Sequence, residues 1–357
     1  MRINTFEYRQ WKAKQNRKNL KLRTKKKKAK KAFRTYQIQY NKSLKIERNN
    51  NYSDTNNRYE YTTPLNFSLI NNPIETTDFF NRIISFSINK RNYKKRIFID
   101  VSGITTLTID ALMYLLAIIN NMKVHFKKNL SISGNAPEDS KVRKLFSESG
   151  FYQFVHYIGS DPLTKNENTI QIVSGEKCDT ELAKQISDFV CKKSQVSKRN
   201  CSFLYNMMIE LMSNTHKHAY PGRKQVFHTR WYCFAEYDKS NTISFSFMDT
   251  GAGIPTTVRK NFAEQFDLLR IKEDCKYVVS ALNGEFRAST RKGYRGKGLP
   301  KIREYCAENK INNLHIITNK ADVTINNENI CSVDIDSSLR GTLYYWQVDL
   351  SKLKQVN

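Results

Sequence analysis

The sequence contains no uninterrupted apolar run near the roughly 18 to 20 residues needed to cross a bilayer. Its longest apolar stretch, Ala111 to Asn120, has the length of a buried helix. No apolar core follows the basic amino terminus as a secretory signal would require, so the expectation is a cytoplasmic protein with no membrane contact. CxxC spacing is also missing: Cys178, Cys191, Cys201, Cys233, Cys275, Cys306 and Cys331 are scattered and odd in number. That pattern supports neither a zinc site nor a disulfide framework, and reads as isolated buried thiols. There is no internal repeat and no GxxxxGK[ST] phosphate loop.

What is present is a chain of 357 residues, long enough for two domains plus appendages, with the 39% hydrophobic and 12% aromatic content of a globular protein. Its net charge of +27 is uneven. Residues 1–48 carry 18 Lys and Arg against Glu7 and Glu47, which makes the arm a separate electrostatic object. Phe6, Tyr8, Trp11, Phe33, Tyr36 and Tyr40 are interleaved with the cations. Cations release counterions from phosphate backbones and aromatics stack on bases, so nucleic acid is one candidate partner; a solvated tail is the other reading.

An Asn-rich polar linker is expected at 49–63, followed by two globular series at 64–160 and 165–352. The first alternates strand and helix: strands at 65–70, 96–101 and 124–132, and helices at 77–88, 110–122 and 141–149. The second has a strand at 169–173, helices at 180–193 and 200–219, and strands at 226–237 and 242–248. Glycine-rich loops come next, then a helix at 300–308 and strands at 314–318 and 341–349. The fold class expected is α/β in the first series and α+β in the second.

Three segments of the second series carry chemistry. On the 200–219 helix, Glu210, Asn214, Lys217 and His218 stand at i, i+4, i+7 and i+8 and share one face. Met207, Met208, Leu211 and Met212 supply apolar surface elsewhere, as on a helix with one flank in a core and another lining a cleft. The 242–248 strand runs into Asp249-Thr-Gly251-Ala-Gly253. A carboxylate at a strand end can accept from an exocyclic amine, and the glycines allow close backbone approach; a structural turn has the same pattern. Gly296-Lys297-Gly298 leads into a helix whose free N–H groups and positive dipole end suit phosphate, though an unliganded loop would read alike.

In this order the three segments resemble the GHKL ATPase superfamily, the Bergerat-fold α/β sandwich of histidine kinases, anti-sigma-factor kinases and gyrase. Glu210 to Asn214 resembles its N box, Asp249 to Gly253 and Gly296 to Gly298 its glycine boxes, and Gly341-Thr342 its late Gly-Thr. The stretch SNTHKHAYPG is most similar to anti-sigma-factor serine kinases. The resemblance implies ATP and Mg²⁺ as ligands, with Asn214 ligating the metal and Asp249 reading the adenine amino group. Gly251 and Gly253 would pack under the nucleotide, and Gly296, Lys297 and Gly298 would form a lid. Lys217 and His218 would face the triphosphate, Thr342 would support Asp249, and Glu210 would act as general base.

In the first series, Arg96 to Leu112 and the later SGNAPEDSKVRKLFSESGFYQF resemble a STAS domain. Where that family carries a phosphorylated serine this chain has Ile109, within Thr108-Ile-Asp110-Ala111, so the usual acceptor is gone and a docking role is expected. The function expected is an ATP-Mg²⁺-dependent regulatory ATPase in which the nucleotide domain controls partner engagement by the STAS-like and basic segments. A serine/threonine protein kinase of anti-sigma-factor type and a nucleic-acid binder with a nucleotide switch are the alternatives. A regulatory protein partner is implied, and a homodimer is compatible with the sequence.

Overall fold

The structure is a computed structural model, and it describes Thr24 and residues 58–88, 96–126, 130–156, 166–218, 230–238, 240–259, 272–285 and 298–354. The arm at 1–48 is, except for Thr24, outside the described residues.

The fold is mixed α/β. A parallel three-stranded sheet is formed by β1 (Arg58–Thr62), β3 (Arg96–Asp100) and β5 (Ser131–Gly134), in the order β1-β3-β5. A minor pair joins β2 (Asn66–Phe67) to β4 (Thr106–Leu107). Helices α1 (Pro73–Ile88), α2 (Ile109–Phe126) and α3 (Ser140–Glu148) accompany these strands. The second sheet contains β6 (Thr169–Gly175), β7 (Trp231–Tyr237), β8 (Thr242–Asp249), β9 (Asn312–Asn326) and β10 (Asn329–Asp349). Its order is β6-β7-β8-β10-β9, antiparallel throughout. Its helices are α4 (Thr180–Ser194), α5 (Lys198–His218), α6 (Asp274–Leu282), α7 (Gly298–Ala307) and α8 (Leu350–Leu353).

Alternation along the second sheet gives it two faces. Trp231, Cys233 and Ala235 of β7, Phe245 and Phe247 of β8, and Tyr344 and Trp346 of β10 point to the front, into a core with α4 to α7. Phe245 and Trp346 stack there with ring centroids 5.0 Å apart. The rear face carries one apolar row across four strands: Tyr232, Met248, Leu343 and Ile317. This row belongs to the core of the first sheet's helices, so α1 and α2 are packed on the rear of the second sheet. Helix α2 is buried almost all round because it lies between two sheets. The Tyr114 hydroxyl donates to the Arg340 carbonyl at 2.7 Å, and the Asn81 amide donates to the Ser338 carbonyl at 3.1 Å.

Several elements differ from the sequence reading. Strand β1 lies inside the stretch expected as linker, because Tyr61 is buried against Phe86 and the backbone pairs with β3. The strand expected at 65–70 shrinks to Asn66–Phe67. Helix α2 continues to Phe126, whose ring is 1% exposed, so the next strand begins only at Ser131. The glycine-rich loops after Asp249 include a helical segment at 254–259 and α6. The two free N–H groups opening α6, on Asp274 and Cys275, donate to the Asp334 carboxylate at 2.9 and 2.7 Å. That cap comes from a strand some sixty residues away, which local sequence could not disclose. The last two strands form one long hairpin, turning at Asn327, which adopts the left-handed conformation tolerated by Asn.

All seven cysteines are free thiols. Among the described residues no helix is long and apolar enough to cross a membrane.

Candidate nucleotide site

The end of β8 is the centre of the front-face site. Strand pairing places Trp231, Asp249, Thr342 and Thr318 in one row across β7, β8, β10 and β9. Asp249 is only 6% exposed, and burial pushes its carboxyl up to about 7. One oxygen, Oδ1, accepts from the Gly251 N–H at 2.7 Å, which partly offsets that cost. No Lys or Arg pairs with this carboxylate among the described residues.

The neighbouring glycine is obligatory. Gly341 has φ +102°, and a Cβ there would overlap the Asp249 carbonyl oxygen. Gly341 therefore lets β10 pass close to β8 where Thr342 sits opposite Asp249. Thr318 ties three segments together: its hydroxyl donates to the Gly341 carbonyl at 2.8 Å, lies 3.2 Å from the Thr342 hydroxyl, and accepts from the Ile254 N–H at 3.0 Å. Gly253, with φ +84°, packs against Asn319, whose amide donates to the Ala252 carbonyl at 3.1 Å. The Asp249–Gly253 turn is thus held by β9, through two residues the sequence reading did not single out. A Thr-Asn pair breaking the apolar alternation of that strand was the only signal, and Asn319 sits at φ +53°.

Helix α5 approaches from the front. Met207, Met208, Leu211 and Met212 are buried in the core, while Glu210 and Asn214 are half-buried on another flank. A Cβ on Gly298 would overlap the Glu210 carboxyl, so Glu210 stands against the first residue of α7. A carboxylate at a helix amino terminus is favourably placed, and the same free N–H groups suit a phosphate. Tyr344 connects the two ends of the site. Burial raises its hydroxyl pKa, and the negative charges of Asp249 and Glu210 raise it further, so both carboxylates lie within electrostatic reach of one phenol.

The structure therefore gathers Asp249, Gly251, Gly253 and Thr342 at one strand end, and Glu210 with Gly298 beside them. Asn214 is one helical turn beyond Glu210, and its side chain makes no hydrogen bond among the described residues. Lys217 and His218 close α5, but their side chains, like Gly296 and Lys297, lie outside the described residues. Among the described residues no three His, Cys, Asp or Glu side chains form a metal cage. A hydrated Mg²⁺ with few protein ligands does not need one.

No family model matches the chain, and no curated protein does either. Among solved structures, the histidine kinase domain from the Erythrobacter litoralis EL346 blue-light activated histidine kinase is similar to it at 12% identity and a TM-score of 0.24. The match covers 49% of this chain and 63% of that one, so this chain spans less than two thirds of the kinase domain's length.

Proposed function

We propose that residues 165–352 are an ATP-Mg²⁺-binding domain of the GHKL type, and that the chain is a regulatory protein whose nucleotide state controls how its STAS-like unit, 64–160, and its basic arm engage a partner. The observation that carries this reading is the row of Asp249, Thr342 and Thr318, with Gly341 allowing the close approach and Glu210 against Gly298 beside it. Segments far apart in sequence converge there, which supports the reading.

The side chains suit the ligand. A buried carboxyl with one oxygen already bonded and no cation beside it is complemented by an amine donor such as that of adenine. The glycines keep side chains out of the strand end and of the start of α7. Asn214 would offer its side-chain oxygen to Mg²⁺, which when bound supplies charge neutralisation. Glu210 would take the proton from a water or a partner hydroxyl, and Lys217, His218 and the Gly296–Gly298 segment would surround the phosphates.

The STAS-like unit has a docking role in this scheme. Ile109 is 8% exposed and Asp110 2%, and the Asp110 carboxylate accepts from the Leu69 N–H at 2.7 Å. The turn that carries a phosphoacceptor in similar domains here holds buried Ile109 and Asp110 at the start of α2.

Calorimetry of ATP and GTP binding, with and without Mg²⁺, tests the reading. Asn214→Ala should lose the magnesium dependence, and Asp249→Asn should lose preference for adenine over guanine. A wild-type chain without measurable ATP affinity, or variants that keep both properties, would sink it.

A further inference from the structure

The rear face of the second sheet changes character one row beyond its apolar stripe. Past Tyr232, Met248, Leu343 and Ile317, the next rows are Phe234, Ser246, Tyr345 and His315, then Glu236, Ser244 and Gln347. The first sheet's helices cover these rows only in part: Phe234 and Ser246 are buried, while Glu236 and Ser244 are half-buried. A cleft of about 520 Å³ opens there, bounded on the opposite side by Ile70, Leu107, Ile109 and Leu145. That volume falls within the roughly 300 to 1,000 Å³ of small-ligand pockets. It is on the face of the sheet opposite Asp249 and Glu210, so it is separate from the nucleotide site.

The chemistry of its walls is one-sided. Among the described residues no Lys or Arg lines it. The Glu236 carboxylate is half-buried and has neither a hydrogen bond nor an ion pair among the described residues, while Glu148 and Asp238 add negative potential. Ser246 is 4% exposed, lines the cleft, and its hydroxyl has no partner among the described residues. Around it Gln347 donates to the Tyr345 hydroxyl at 2.8 Å and to the Ser244 hydroxyl at 3.3 Å, and these two hydroxyls bond each other at 3.2 Å, which leaves one lone pair between them. An unpaired, partly dehydrated carboxylate is costly unless a cation neutralises it.

We propose that this cleft is a binding site for an organic cation, an ammonium or guanidinium group carried on an apolar body. Glu236 is the counter-ion, the Ser246 hydroxyl and the one lone pair left on the Ser244–Tyr345 pair accept N–H groups, and Phe234, Leu107 and Ile109 hold the apolar part. Phosphate and carboxylate ligands find no Lys or Arg among the described lining residues, and His315, which also lines the cleft, is already paired with Asp322. The ligand has two sources of the same chemistry: a free amine or guanidine, or a Lys or Arg side chain from residues 1–48, whose net charge is +16.

The test uses the full chain, with benzylguanidine as the cationic probe and phenylacetate as its anionic counterpart, each titrated by calorimetry. Carbodiimide crosslinking with mass spectrometry then reports whether a lysine of residues 1–48 couples to Glu236. Benzylguanidine binding that weakens about tenfold or more in Glu236→Gln, with phenylacetate silent, supports the site and a free ligand. A Glu236–lysine crosslink that excess benzylguanidine suppresses supports it with the arm as occupant. Phenylacetate binding as well as benzylguanidine overturns the proposal, as does affinity unchanged in both Glu236→Gln and Ser246→Ala, or the absence of both binding and crosslink. Should Glu236→Gln not fold, the two wild-type probes and Ser246→Ala decide the matter.

Discussion

Replacing Asp249 by Asn should change how stability depends on pH, because burial holds this carboxyl far above its usual range. In the unfolded chain the group ionises near 3.8, and in the folded chain near about 7. Between those values the folded state binds the extra proton, so the stabilising contribution is complete below 3.8 and is lost as pH rises through 7. The span from 3.8 to about 7, at about 1.4 kcal/mol for each tenfold change in proton affinity, gives a ceiling of about 4 kcal/mol. From about pH 5 to pH 8.5 the accessible part is about 2 to 3 kcal/mol. Asn has nearly the same shape, can still accept from the Gly251 N–H, and never ionises. Urea unfolding of both proteins across that range should therefore give stability curves that diverge: wild type declines relative to Asp249→Asn as pH rises. Other buried acids, including Asp110 and Asp274, titrate equally in both chains and cancel in the difference. Parallel curves, or a wild type that gains on the variant with rising pH, would show that Asp249 is hydrated or neutralised in the folded protein.

Other substitutions probe the remaining links. Glu210→Ala should lower ATP turnover at least about tenfold with nucleotide affinity roughly preserved, measured by phosphate release alongside calorimetry; unchanged turnover removes Glu210 as the base, and γ-phosphate label appearing on protein would favour phosphotransfer over hydrolysis. Gly341→Ala forces a side chain into a left-handed conformation costing about 1 to 2 kcal/mol before any clash with the Asp249 carbonyl, so its unfolding midpoint in urea should fall and nucleotide binding with it. Asp334→Ala leaves the first N–H groups of α6 uncapped and should cost about 1 to 2 kcal/mol in thermal or urea unfolding. Tyr114→Phe removes the bond to the Arg340 carbonyl and should cost about 1 kcal/mol. Hydrogen exchange in β10 should speed up in that variant, and an unchanged rate there would argue against firm packing of α2 on the rear face.

The amino-acid pattern by itself determined the local geometry of this protein and the residue types at the candidate site. Apolar spacing at 3.6 residues marked α4 and α5, alternation marked β7 and β8, and Gly341-Thr342 stood out through its resemblance to the late Gly-Thr of the GHKL superfamily. Only the tertiary structure decided why that glycine is required, since the Asp249 carbonyl that excludes a Cβ there is ninety-two residues away in sequence. The same holds for Thr318 and Asn319, whose hydrogen bonds hold a turn more than sixty residues earlier. Local sequence likewise could not show that α6 would take its cap from Asp334. Nor could it show that α2 is buried on almost every side because a second sheet covers it, or that Glu236 would have no partner among the described residues at the edge of that cover. Periodicity and turn chemistry act over a few residues and are written in the chain. Burial and charge compensation depend on which strands become neighbours, and that is fixed only when the two sheets pack.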